Sequence, residues 1–117
     1  MRLNEVSYGK AMPVEGYGPG FFRIGGTVWQ GPVLTHAEGT RAWDGLSDMA
    51  PLEALSDAID VLFIGMGAEI AALPAEVRTR LEKAGLGVEV MASPAAARTY
   101  NVLLGEGRRV ALALLPV

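Results

Sequence analysis

The sequence predicts an α/β domain whose main sheet is mostly parallel. Three observations carry this. From residue 51 onward, segments with helical spacing of apolar residues alternate with short apolar runs, the order expected of strands joined by helical crossovers. One of those runs, Asp60-Val61-Leu62-Phe63-Ile64-Gly65, is continuous in apolar residues until its glycine, as a strand buried on both faces is. Before residue 51 the chain is instead punctuated by glycine and proline between β-branched and aromatic residues, which marks a β-hairpin.

The elements follow in order. Residues 1–12 carry little pattern and read as a loosely held arm, with one domain over residues 13–117. Gly16-Tyr17-Gly18-Pro19-Gly20 is turn chemistry. Phe21-Phe22-Arg23-Ile24 and Thr27-Val28-Trp29-Gln30 read as strands, and the two glycines between them suit a tight hairpin. A break at Gly31-Pro32 precedes further strand to His36. Pro51 stands in the first turn of a helix running to Ala58. Pro74 to Ala84 is the next helix, with Val77, Leu81 and Ala84 on one stripe and Gly85 as its stop. Val88-Glu89-Val90-Met91 is a short strand. Ser93 caps a third helix that has Pro94 at its first position, and Arg109 to Leu115 closes the chain as a strand.

At 117 residues the chain has the length of one domain, and with half its residues apolar and a fifth charged it can bury a core. It has no cysteine, so disulfides and thiolate chemistry are excluded. The net charge of −3 argues against a nucleic-acid partner. The longest apolar stretch, Val61 to Pro74, is interrupted by Glu69 and is too short to span a bilayer. With no signal-like apolar core near Met1, the expected compartment is the cytoplasm. Acidic residues crowd between Glu38 and Asp60, whereas most arginines come later. That is either a solvated acidic surface or two patches of opposite sign for docking a protein.

Ligands of open α/β sheets gather beyond the carboxyl ends of parallel strands. Two such ends are Gly65-Met66-Gly67 and Ala92-Ser93-Pro94, the second at a helix N-terminus that favours an anion. On the third helix Ala96, Tyr100, Leu103 and Leu104 share the packing face, while Arg98 and Asn101, three apart on the other side, can converge on one group. Gly65-Met66-Gly67 with Glu89 further on is a weak dinucleotide match, since Ile70 stands where the third glycine belongs. The lone histidine, His36, has no ligand spacing around it, so no metal site and no cofactor is expected.

Several stretches together resemble one family. They are Gly16-Tyr17-Gly18-Pro19-Gly20-Phe21-Phe22-Arg23-Ile24, Asp60-Val61-Leu62-Phe63-Ile64-Gly65-Met66-Gly67, Gly87-Val88-Glu89-Val90-Met91 and Arg98-Thr99-Tyr100-Asn101-Val102-Leu103-Leu104-Gly105-Glu106-Gly107-Arg108-Arg109-Val110. The chain is similar to the family of the mitochondrial complex I (NADH:ubiquinone oxidoreductase) assembly factor 3, with its short bacterial and archaeal relatives of unknown function. The resemblance implies a three-layer fold, a central mixed sheet flanked by helices with a hairpin near the start. It also implies Gly65, Gly67, Arg98, Tyr100 and Asn101 as recurrent positions. Many relatives carry threonine in place of Met66 and cysteine in place of Ala97, so no chemistry on that hydroxyl or thiol is expected here.

Two functional readings result. The first is a non-catalytic module that binds a protein partner through Arg98, Asn101 and the Gly65–Gly67 loop, with Trp29, Trp43 or Phe21 as anchors if they are exposed rather than core. The second is a small-molecule binding protein or enzyme with its site at the carboxyl ends of the sheet strands, holding an anion or nucleotide between Ser93 and Arg98. A homodimer through an edge strand is compatible with either.

Overall fold

The computed structural model describes residues 12–117. The arm expected over residues 1–12 falls outside them, apart from Met12. The elements run β1 (Val14–Gly18), β2 (Phe21–Ile24), β3 (Thr27–Gln30), β4 (Val33–His36), β5 (Gly39–Ala42), α1 (Ala50–Glu53), β6 (Val61–Met66), α2 (Ala75–Lys83), β7 (Gly87–Met91), α3 (Ser93–Gly105) and β8 (Val110–Leu115). They form an α/β fold with two sheets, one of three strands in the order β1-β2-β3 and one of five in the order β5-β4-β8-β6-β7.

The hairpin is β2–β3. Ile24 pairs with Thr27 across Gly25-Gly26, whose φ angles of 57° and 83° are those a right-twisted two-residue turn demands. It lies in the smaller sheet, where β1 joins it antiparallel with an irregularity at Glu15. The Gly16–Gly20 stretch is therefore mostly strand: its glycines weaken β1 intrinsically, and pairing with β2 overrides that.

The larger sheet is evenly mixed rather than mostly parallel. β6 pairs parallel with β7 and with β8, while β4 pairs antiparallel with both β8 and β5. The crossovers explain where the helices lie. From β6 the chain steps through α2 to β7 on one side, then returns through α3 to β8 on the other. Crossovers of one hand taken in opposite directions put their helices on opposite faces.

The cores agree. Leu62, Ile64, Ala111 and Ala113 pack with Leu52, Val77 and Leu81 of α1 and α2. Phe63, Leu112 and Leu114, alternating with them, pack with Ala96, Tyr100 and Leu104 of α3 and with Phe22 and Ile24 of the small sheet. β6 is buried on both faces, as its apolar run requires.

α1 is shorter than its sequence suggests. After Glu53 the chain tightens into i→i+3 turns, Ser56 N–H donating to Glu53 O at 3.1 Å and Ala58 N–H to Leu55 O at 2.8 Å. Ser56 and Asp57, both weak in helix interiors, explain the stop.

Candidate functional site

The carboxyl ends of β6 and β8 meet the start of α3 at the point where strand order reverses, the usual ligand crevice of such sheets. Here it is stapled shut. The Ser93 side chain is fully buried; its Oγ accepts the Gly67 N–H at 2.9 Å and donates to Leu115 O at 2.7 Å. Ser93 N–H donates to Gly67 O at 2.8 Å. Ser93 therefore does not cap α3. Ala92 holds the N-cap position, and Ser93, already helical, turns its hydroxyl across to the strands. With the Ser93 N–H spent and Pro94 lacking one, the helix start has few donors left for an anion.

Gly65 completes the junction. A methyl group on it would lie 2.6 Å from Ser93 Oγ, 2.7 Å from Ser93 Cα and 2.8 Å from Leu114 Cδ2. Gly65 thus lets α3 approach the sheet closely; it sits inside β6, and α2 starts only at Ala75. The dinucleotide geometry, a glycine turn leading straight into a helix, is absent from this segment.

Further along α3 the predicted residues diverge. Tyr100 points into the core with none of its surface exposed, and burial pushes its hydroxyl up to about 12. The Thr35 hydroxyl faces it and offsets part of that rise, yet Tyr100 Oη has no partner in hydrogen-bond geometry. Thr35 is engaged with Thr40 at 2.7 Å. Asn101 turns to β1, its Oδ1 accepting the Val14 N–H at 2.9 Å and its Nδ2 donating to Val14 O at 2.8 Å. Arg98 alone faces solvent, beside Val102, which is 60% exposed. Gly65, Gly67 and Ser93 are brought together; Arg98 and Asn101 do not converge.

A second concavity lies at the opposite end of the sheet. It is a cleft of about 400 Å³ between the β4–β5 turn, the turn at Ala58-Ile59 and the end of α3. His36, Glu38, Arg108 and Arg109 line it over an apolar floor of Ile59, Leu104 and Val110. Arg109 Nη2 donates to Asp57 O at 3.2 Å and lies 3.4 Å from Asp60 Oδ1. Burial lowers the His36 pKa, and the Glu38 carboxylate opposes that only in part. The grouping is invisible in sequence because three separated stretches supply it. A histidine at a strand end and paired arginines near the chain's end were the available signals.

The expected patches of opposite charge partly meet one another. Arg80 forms a bidentate pair with Glu53, at 2.9 and 2.7 Å, and Arg109 pairs with Asp60. Trp43 is core, its Nε1 donating to Asp48 O at 2.8 Å, and Phe21 and Trp29 are half-buried. Among the described residues, no group of three or more His, Asp or Glu side chains is arranged to hold a metal ion.

Residues 14–115, spanning every described element, match the family model of a protein of unknown function, DUF498/DUF598. The chain belongs to this family. An uncharacterised protein of Rhodobacter capsulatus is 50% identical over 117 residues, a match covering 100% of this chain and 94% of that protein. The NADH dehydrogenase (ubiquinone) 1 alpha subcomplex assembly factor 3 of Danio rerio is 36% identical over 110 residues. That match covers 88% of this chain and 63% of the zebrafish protein, so the chain spans less than two thirds of that relative's length. A crystal structure described as an outer membrane protein of Bartonella henselae superposes with a TM-score of 0.82 at 34% identity, covering 90% of this chain and 94% of that one. For this DUF498/DUF598 member itself, no helix among the described residues is long and apolar enough to cross a membrane.

Proposed function

We propose that this DUF498/DUF598 protein is a non-catalytic binding module, an accessory factor that engages a protein partner through the outer face of α3. The observation that carries this is the division of labour along that helix. Ser93, Tyr100 and Asn101 are turned inward to hold the fold, while Arg98 and Val102, one turn apart, are left to solvent. An exposed guanidinium beside an exposed aliphatic side chain is a surface suited to a polar-rimmed contact. The relative named as an assembly factor supports an accessory role. The closed junction at Gly65 and Ser93 weighs against the rival reading, an anion held between Ser93 and Arg98.

On this reading the module is one domain over residues 13–117, in three layers, with the large sheet between α1 and α2 on one side and α3 with the small sheet on the other. It works in the cytoplasm. Self-pairing would use an outer strand such as β7 and leave the α3 face free.

A photo-crosslinking side chain placed at Val102 tests the proposal, with the same group at exposed Thr79 on α2 as control. A discrete adduct from position 102, absent from position 79 and lost on Arg98→Glu, is expected. Identical adducts from both positions, or an adduct indifferent to Arg98→Glu, would refute α3 as the contact.

A further inference from the structure

We propose that the cleft at the foot of the sheet binds a small monocarboxylate with an apolar body, its carboxylate held by Arg108 and Arg109. This site is separate from the α3 face and does not depend on its role. A volume of about 400 Å³ falls within the range of small-molecule pockets, and an apolar floor with a few convergent polar groups is their usual make-up.

The charged groups select the ligand. Arg109 is held in place by Asp57 O and Asp60, so its remaining N–H groups are oriented before anything binds. Arg108 has its backbone N–H fixed to Leu103 O at 3.0 Å, while its guanidinium makes no ion pair with another described residue. The planar forks of both side chains match a carboxylate. His36 Nδ1 accepts the Glu38 N–H across a long 3.5 Å contact, so a neutral imidazole carries its proton on Nε2 and offers a further donor. Two guanidinium charges stand against the one carboxylate of Glu38, and Asp60 offsets part of Arg109. That leaves a surplus of less than one positive charge, which favours a monoanion over a dianionic phosphate. Ile59, Leu104 and Val110 would take the hydrocarbon part.

The test is an amide-shift titration of the full chain at pH 7.5 with phenylacetate, neutral phenylacetamide and phenyl phosphate. Phenylacetate should give saturable shifts confined to the amides of residues 36–38, 58–59 and 107–110. Phenylacetamide should bind about tenfold more weakly or worse, as loss of a charge-assisted pair implies. Arg108→Ala should weaken phenylacetate by a similar factor, and its own amide spectrum reports whether the fold is kept; Arg108→Gln serves if it is not. Absence of saturable shifts, indifference to both Arg108 variants, or tighter binding of phenyl phosphate would each overturn the proposal.

Discussion

Tyr100 carries a hydroxyl into an apolar core and leaves it without a hydrogen bond. An unsatisfied buried hydroxyl costs about 1–3 kcal/mol, so removing it should not destabilise the fold. Tyr100→Phe is expected to hold or raise the urea midpoint at pH 7. A clear loss would mean that the hydroxyl has a partner. Its raised pKa also has a sign. The fold keeps the phenol protonated to about 12, whereas the unfolded chain releases the proton near 10. Stability from this group is thus complete below pH 10 and drains away as pH rises toward 12. In Tyr100→Phe the alkaline loss over that window should shrink.

His36 works in the other direction. Its folded pKa is lowered, so its contribution is complete above the unfolded value of 6.5 and is lost as pH falls through the folded one. Denaturation midpoints at pH 7.5 and 5 should therefore differ more for the wild type than for His36→Gln; equal differences would remove His36 as a source of acid sensitivity. Gly65→Ala is the plainest residue-scale test. Its added methyl meets Ser93 and Leu114 inside 3 Å, and overpacking of this kind costs about 1–3 kcal/mol. A midpoint unchanged from wild type would show that α3 can slide away freely.

Among the elements, α3 does most to join the molecule. Its Asn101 side chain satisfies both polar groups of Val14, so β1 depends on a residue 87 positions away. Asn101→Asp keeps an acceptor for the Val14 N–H but sets a carboxylate against the Val14 carbonyl. Destabilisation of about 1–3 kcal/mol is expected, with faster hydrogen exchange over β1 than over β6. Uniform acceleration across both strands would contradict a local role. Sequence spacing suggested that Arg98 and Asn101 could converge on one group, but it could not show that β1 crosses here and takes up Asn101. The same blindness hid β1 and β5: Gly16 and Gly18, or Gly39 and Arg41, become strand only because β2 and β4 lie alongside. Where the local pattern was strong, as in Val61–Ile64, Pro74–Gly85 and the Gly25-Gly26 turn, sequence and structure agree to within a residue or two.

At the scale of the whole molecule, the two sheets share one core. Phe22 and Ile24 of the small sheet pack with Val33, Leu112 and Tyr100, so the hairpin is not an appendage. Phe22, with no exposed surface, should cost about 3–5 kcal/mol when cut to alanine, and far- and near-ultraviolet dichroism should report one coincident transition. Two separated transitions would mean that the small sheet melts alone. The candidate sites were less legible than the fold. The sheet rim could be located from strand ends, but its closure by Ser93 depends on a hydroxyl reaching 22 residues along the chain to Leu115 O. The foot cleft needs three separate stretches brought together before His36, Arg108 and Arg109 line one hollow.

The grip of Asn101 on Val14 has one more effect. A carboxamide offers the same donor and acceptor as a peptide unit, and here it occupies the outward N–H and C=O of Val14. A foreign peptide seeking to extend the small sheet beside β1 finds that position already answered by a side chain that cannot propagate a ladder. One amide thus doubles as a stopper against fibre-like growth from that flank.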